Sequence, residues 1–205
     1  MARKPSQTRA KVTVDAIIEA GFLSITTHGM AGTTTRHIAE IAGVSVGSIY
    51  EYFENKDAIF KAMSQHFVDE VLVMIIELRP VIIQTDLESV IQMIFYQFSD
   101  LLKKNNNRYL NALRYAGELK YDEHVQQIES ALVETVLKYI INNPKYMQLN
   151  DITTLAYVCI NSGIFNVIRH LIMPNPNISF DNMVKGLTRM ILSYVEAEMI
   201  EPTKD

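Results

Sequence analysis

Apolar residues recur at intervals of three and four along almost the whole of this chain, and that period commits it to helices. Val14, Ile17, Ile18, Gly21, Phe22 and Ile25 make one stripe of an amphipathic helix. Thr13 is its predicted cap and Gly29 its stop. Two short units, 35–42 and 46–53, follow, separated by Gly43-Val44-Ser45. A long stripe then runs from Ile59 to Leu78 and is expected to end at Pro80, and another runs from Leu87 to Leu102 and ends at the polar run 103–107. A shorter helix is predicted around 109–115, then one from Val125 to Ile140, closed by Asn142-Asn143-Pro144. The last two helices, 151–173 and 180–199, are parted by Pro174-Asn175-Pro176-Asn177. No segment alternates with a period of two, and no long-period repeat is visible. The predicted fold class is all-α, with about nine helices.

Composition narrows the class. Of 205 residues 48% are apolar, too many for a chain that stays disordered. The single cysteine, Cys159, permits no intramolecular disulfide and no Cys-rich zinc site. Met-Ala-Arg-Lys-Pro-Ser-Gln at the start is basic with no apolar stretch behind it, which does not read as a signal peptide. The uncharged run 152–168 is interrupted by Asn161, Ser162, Gly163 and Asn166 and falls short of the roughly 20 apolar residues of a bilayer span. It is expected to be a buried helix, with no membrane partner and a cytoplasmic location.

The net charge of −4 is unevenly spread: residues 1–61 carry seven basic and six acidic side chains, while the remainder carries 12 and 17. Arg3, Lys4, Arg9 and Lys11 face no acid within the first eleven residues. Such a leading arm suits a polyanion at one end of the molecule, though solvated basic residues at a terminus would look the same.

Residues 33–53 have a mechanical logic. Thr34 can cap the first short helix, whose Ile38, Ala39 and Ala42 supply a small inner face. Gly43 suits a left-handed turn, Val44 plugs the corner, and Ser45 caps a second helix with Ile49 and Phe53 pointing inward. Val46, Gly47, Ser48, Tyr50 and Tyr52 are left to face outward. Two short helices joined by a glycine turn are the geometry of a DNA-reading helix-turn-helix, although any small helical hairpin can use a glycine turn.

Thr34-Thr35, Ile38-Ala39, Ala42-Gly43-Val44-Ser45, Gly47-Ser48-Ile49-Tyr50, Tyr52-Phe53 and Lys56 together resemble the signature of tetracycline-repressor-like (TetR/AcrR) transcriptional regulators, over residues 10–60. The resemblance implies a helix-turn-helix DNA-binding domain over 10–60, its motif at about 34–53, and a helical-bundle domain over 61–205 for effector binding and dimerisation. It implies a bacterial homodimer that binds a palindromic double-stranded operator and is released by a small apolar or aromatic effector. Thr34, Thr35, Ser45, Tyr50, Tyr52 and Lys56 would contact phosphates, and Arg36, Val46, Gly47 and Ser48 would meet base edges. Hydroxyls suit phosphate oxygens, and Arg36 has the fork for guanine O6 and N7. Many relatives carry Lys or Arg where this chain has Val46, so a thymine methyl contact and DNA shape would replace a polar contact there. His37 reads as a surface residue.

For the body, the resemblance places the dimer interface on the helices 151–173 and 180–199, and Ser162 and Gly163 permit close helix contact. Phe95, Phe98, Tyr109, Leu113, Tyr115 and Phe165 are candidate effector-pocket residues, with Tyr96 and Tyr121 beside them. Aromatics at helical spacing serve plain core packing equally well. Arg114, Glu118, His124, Arg169 and His170 are polar candidates for orienting a ligand, and each also suits a surface role. The linking helix from Lys56 to about Arg79 is the expected lever between reader and sensor.

Catalysis finds no support: there is no Gly-rich phosphate loop, and no i, i+4 pair among His28, His37, His66, His124 and His170. No cofactor or metal is expected. A DNA-bound protein whose body recruits a protein partner is the remaining alternative.

Overall fold

The computed structural model describes residues 4–115 and 122–200. Among them stand eight α-helices: α1 (Lys4–Gly32), α2 (Thr35–Ala42), α3 (Val46–Tyr50), α4 (Lys56–Ile82), α5 (Leu87–Leu113), α6 (Asp122–Asn142), α7 (Ile152–Ile172) and α8 (Phe180–Ile200). A single 3-10 turn, Pro144–Tyr146, follows α6, and no strand occurs among the described residues. The all-α expectation holds. Eight helices rather than nine are counted because α5 contains its own break: Lys104 is extended (ψ 150°), and Asn105, Asn106 and Asn107 all have φ near +50 to +60°. Asparagine tolerates that left-handed region better than most residues, so the polar run interrupts the helix where the sequence predicts an end.

Three boundaries differ from expectation. Thr13 is not a cap, because α1 already begins at Lys4 and the Thr13 hydroxyl donates back to the Arg9 carbonyl at 3.0 Å. Pro80 does not end α4, which carries it in its last turn and closes at Ile82, with Ile83 N–H donating to the Arg79 carbonyl. A proline near the C-terminus forfeits only one backbone bond, and Arg79 beside it is tied to α6 by Thr135, Glu134 and the Ala131 carbonyl. The second short helix closes at Tyr50 rather than Phe53.

By contacts the chain divides into two units. The first comprises Met1–Asp69 and Lys103–His124, the second Glu70–Leu102 and Val125–Asp205. In the first, Ile17, Phe22, Ile38, Ile49, Ile59, Met63 and Tyr109 are buried together, each full burial contributing about 1.5–3 kcal/mol. The Tyr109 ring meets Phe22 edge-on at 5.3 Å and Phe67 at 5.0 Å. Next to it Arg108, itself buried, pairs with Glu19 of α1, donates to the Tyr109 hydroxyl at 2.7 Å and stands 3.4 Å from His66 Nε2. One turn on, Asn111 donates to the Thr26 hydroxyl.

In the second unit Val71, Ile75, Phe98, Leu102, Ile140, Val167 and Val184 form the centre of the core. Tyr96 donates to Asp181 at 2.9 Å, and that bond, with burial behind it, holds the phenol above its usual range. Asp151 caps α7 by accepting from Thr154 N–H, and the side-chain hydrogen bond of Thr154, followed by that backbone bond, depresses its carboxyl. At 21 residues and mean hydropathy 1.3, α7 is long and apolar enough to cross a membrane by length and composition alone. Its Asn161, however, donates to Glu129 of α6, and Tyr157, Val158 and Phe165 on it are exposed.

Candidate nucleic-acid interface

The interface is built from two caps and one glycine. Thr34 is extended (φ −123°, ψ 158°) and its hydroxyl accepts the His37 N–H at 3.2 Å, which starts α2. Gly43 ends it at φ 68°, ψ 29°, with its N–H on the Glu40 carbonyl and Val44 N–H on the Ala39 carbonyl. That reversed pair of bonds requires the left-handed region, where a Cβ is disfavoured. Ser45 opens α3 by accepting the Ser48 N–H at 3.0 Å, and the two serine hydroxyls lie 2.9 Å apart. Ile38, Ala39, Ile49 and Phe53 are buried on the inner face, while Ala42, also expected there, is half-buried at the end of α2.

The outer face carries most of the expected residues. Thr34, Arg36, Ser45, Val46, Gly47, Tyr50 and Tyr52 are exposed, and Thr35 and Ser48 are half-buried. Tyr50 is 54% exposed, and its hydroxyl lies 3.4 Å from that of Thr35, so a phenol and a threonine from different helices share one spot. Gly47 is open: a Cβ built there would meet only Ser45 Oγ, at 3.6 Å. Arg9 and Lys11 are exposed on α1; Arg3 lies outside the described residues. Exposed Glu40, Glu51 and Glu54 temper the positive charge of this unit.

Lys56 stands apart from the other expected contacts. Its ammonium donates to the Thr33 carbonyl at 3.0 Å and sits 5.4 Å from the centre of the Phe60 ring. Thr33 is fully buried and hydrogen-bonded to Ser24 and to the Gly29 carbonyl, so Lys56 fastens the entry of the motif to α4. His37, expected at the surface, is half-buried and stacks on His28 at 4.1 Å. Sequence reasoning missed Ser24, Thr33 and the second role of Lys56; their partners lie 9 and 23 residues apart, beyond any helical period.

The second unit holds a cavity of about 160 Å³, bounded by α4, α5, α6, α7 and α8. Phe95 and Phe98, two of the candidate pocket residues, line it. Tyr109, Leu113 and Tyr115 belong to the first unit, and Phe165 is 66% exposed because Gly163 and Val167 carry the buried face of α7. Tyr121 and Glu118 lie outside the described residues. Among the polar candidates, Arg169 donates to the Met173 carbonyl at the end of α7, His170 packs on Phe180, and Arg114 is exposed. No cluster of three or more His, Cys, Asp or Glu suited to a metal ion occurs among the described residues.

Residues 17–63 match the family model described as "Bacterial regulatory proteins, tetR family". Over 50 residues the chain is 38% identical to the HTH-type transcriptional regulator BetI of Paraburkholderia xenovorans, a stretch that takes in 24% of this chain and 26% of that protein. The chain therefore aligns with about a quarter of that curated relative. Solved structures match over nearly the full length. A transcriptional regulator from Rhodococcus sp. Rha1 superposes with a TM-score of 0.70 at 16% identity, covering 92% of this chain and 99% of that one. The fatty acid degradation regulator FadR from Bacillus halodurans gives 0.64 at 19%, covering 87% and 97%. These identities speak to the fold alone, whereas the family match rests on α1 to α4, the segment whose caps, turn and outer face are described above. Over residues 17–63, from α1 to α4, the chain matches the tetR family of bacterial regulatory proteins.

Proposed function

We propose that this protein is a sequence-specific DNA-binding repressor of the cytoplasm that holds a palindromic operator as a homodimer and releases it when a small apolar or aromatic effector binds. The observation that carries the reading is the outer face of α2 and α3: a Ser45-capped helix offering Val46, Gly47 and Tyr50 to solvent, with Arg36 exposed on the neighbouring helix. Thr34, Thr35, Ser45, Tyr50, Tyr52 and Lys56 take phosphates, and Arg36, Val46, Gly47 and Ser48 face base edges. Lys56 does so while keeping its bond to Thr33, since an ammonium has three donors.

Dimerisation through α7 and α8 is supported by the apolar side chains those helices leave exposed, Tyr157, Val158, Phe165 and Met190. Such a face is unfavourable in water and suits a two-fold, self-complementary contact. The cavity, lined almost wholly by apolar side chains, supports an effector site for an apolar ligand. Release is a population shift: the effector favours a state in which the two recognition helices no longer stand one DNA turn, roughly 34–36 Å, apart. A body that serves only to recruit a protein partner would not need this cavity.

The test is binding of the purified protein to duplex from its own upstream region, against a scrambled duplex, at near-physiological salt where nonspecific binding fades. Tight binding of two protomers to the native duplex alone is expected. Equal weak binding to both refutes sequence-specific recognition of that region.

A further inference from the structure

We infer that the cavity of the second unit takes a neutral, wholly apolar molecule of about one ring and rejects an anion of the same shape. The inference rests on the reading of that cavity as the effector site. Size sets the first limit. At about 160 Å³ the space matches an engineered apolar cavity of roughly 150 Å³ that stays dry and binds benzene.

The chemistry of the wall sets the second. Among the described residues, no Asp, Glu, Lys, Arg or His lines the cavity. Its polar groups are those of Thr135, Tyr139, Tyr146 and Cys159. The Thr135 hydroxyl donates to the Ala131 carbonyl at 2.8 Å and accepts from Arg79 Nε at 3.2 Å. The Tyr139 hydroxyl donates to the Thr85 carbonyl at 3.1 Å, and burial, followed by the charge and hydrogen bond of Tyr146, pushes it up to about 12. Burial pushes the Cys159 thiol up to about 11, so it stays a neutral thiol in the physiological range. Arg79, the cation behind Thr135, already pairs with Glu134 at 2.7 Å. A carboxylate entering this space would lose its hydration and, among the described residues, meet neither a free cation nor a cluster of donors.

The pair of probes that isolates the charge is p-xylene and 4-methylbenzoate, titrated calorimetrically into the full chain. Saturable binding of p-xylene is expected, with 4-methylbenzoate weaker by roughly 100-fold or more, because an uncompensated buried charge is far costlier than a methyl group. Ala156→Leu, on the cavity wall, should abolish p-xylene binding, and Cys159→Met serves if the first variant loses its native circular dichroism. Binding of the benzoate within tenfold of p-xylene, no binding of p-xylene, or equal binding by a folded filled-cavity variant overturns the inference. Operator release is measured separately on a preformed DNA complex. Selective p-xylene binding without release leaves this inference standing and refutes the effector reading instead.

Discussion

Gly47→Ala separates the fold of the motif from its proposed use. Gly47 is the second residue of a five-residue helix, and a Cβ there would meet only Ser45 Oγ, at ordinary van der Waals distance. Alanine is therefore accommodated, and it gains about 0.5–1 kcal/mol over glycine in a helix. For a chain of this size that raises the melting temperature by about 1–4 °C. In the proposed operator complex the same methyl would point into the space that the DNA fills. A displacement that weakens each half-site tenfold is about 1.4 kcal/mol, and two half-sites in one dimer make roughly 100-fold. Scanning calorimetry and fluorescence anisotropy on a labelled operator read the two effects in one preparation. Unchanged operator affinity with a raised melting point would show that the start of α3 makes no close approach to DNA. A lowered melting point would show that the space around Gly47 is not open, and the packing argument would fail.

Gly43→Ala should lower stability by about 1–2 kcal/mol in thermal melts, because its Cβ meets nothing and only the left-handed backbone is disfavoured. Gly163→Ala should cost about 1–3 kcal/mol in denaturant titration, since its Cβ would stand 2.6 Å from Phe95 Cε1; an unchanged midpoint would mean that the ring swings away freely. With its folded-state value raised, the Cys159 thiol remains protonated until pH approaches about 11. Its alkylation by iodoacetamide at pH 8 should therefore run about 100-fold slower than that of a free thiol, with comparable rates refuting the burial argument. Arg108→Met should cost about 2 kcal/mol in urea, less than the roughly 3–5 of breaking a fully buried pair, because the Glu19 side chain is 39% exposed and can rehydrate.

What the sequence makes legible is local. The inner face of α2 and α3, the Thr34 and Ser45 caps and the Gly43 turn are all written within a few residues of one another, where period and capping chemistry act. The break at 104–107 is legible for the same reason, as three asparagines have no apolar stripe to hold them helical. Phe95 and Phe98 could be picked out as aromatics but not separated from Tyr109 and Tyr115, which are aromatics too and belong to the other unit. Cys159 illustrates the limit from the other side: the apolar run around it signals burial, yet nothing in the run tells a core seam from a cavity wall.

The least legible feature is the first unit itself. A reader drawn from local signals is contiguous, but the short helical segment after the asparagine break adds a stripe at i, i+3 and i+7 to its core. Arg108 pairs with Glu19, Asn111 donates to Thr26, and Tyr115 lies so close to Gly29 that a Cβ there would stand 3.3 Å from its hydroxyl. All three contacts fall on α1, at distances of some 85 residues along the chain. Periodicity places the stripe on a helix and leaves its partner unnamed. Arg108 is the informative member, since a buried guanidinium is tolerated only where an acid and a ring receive it. The left-handed asparagines just before it break α5 immediately ahead of that segment, at the point where the chain leaves the second unit. A polar run that reads as a mere helix stop therefore also precedes the segment that braces α1, the longest helix of the first unit.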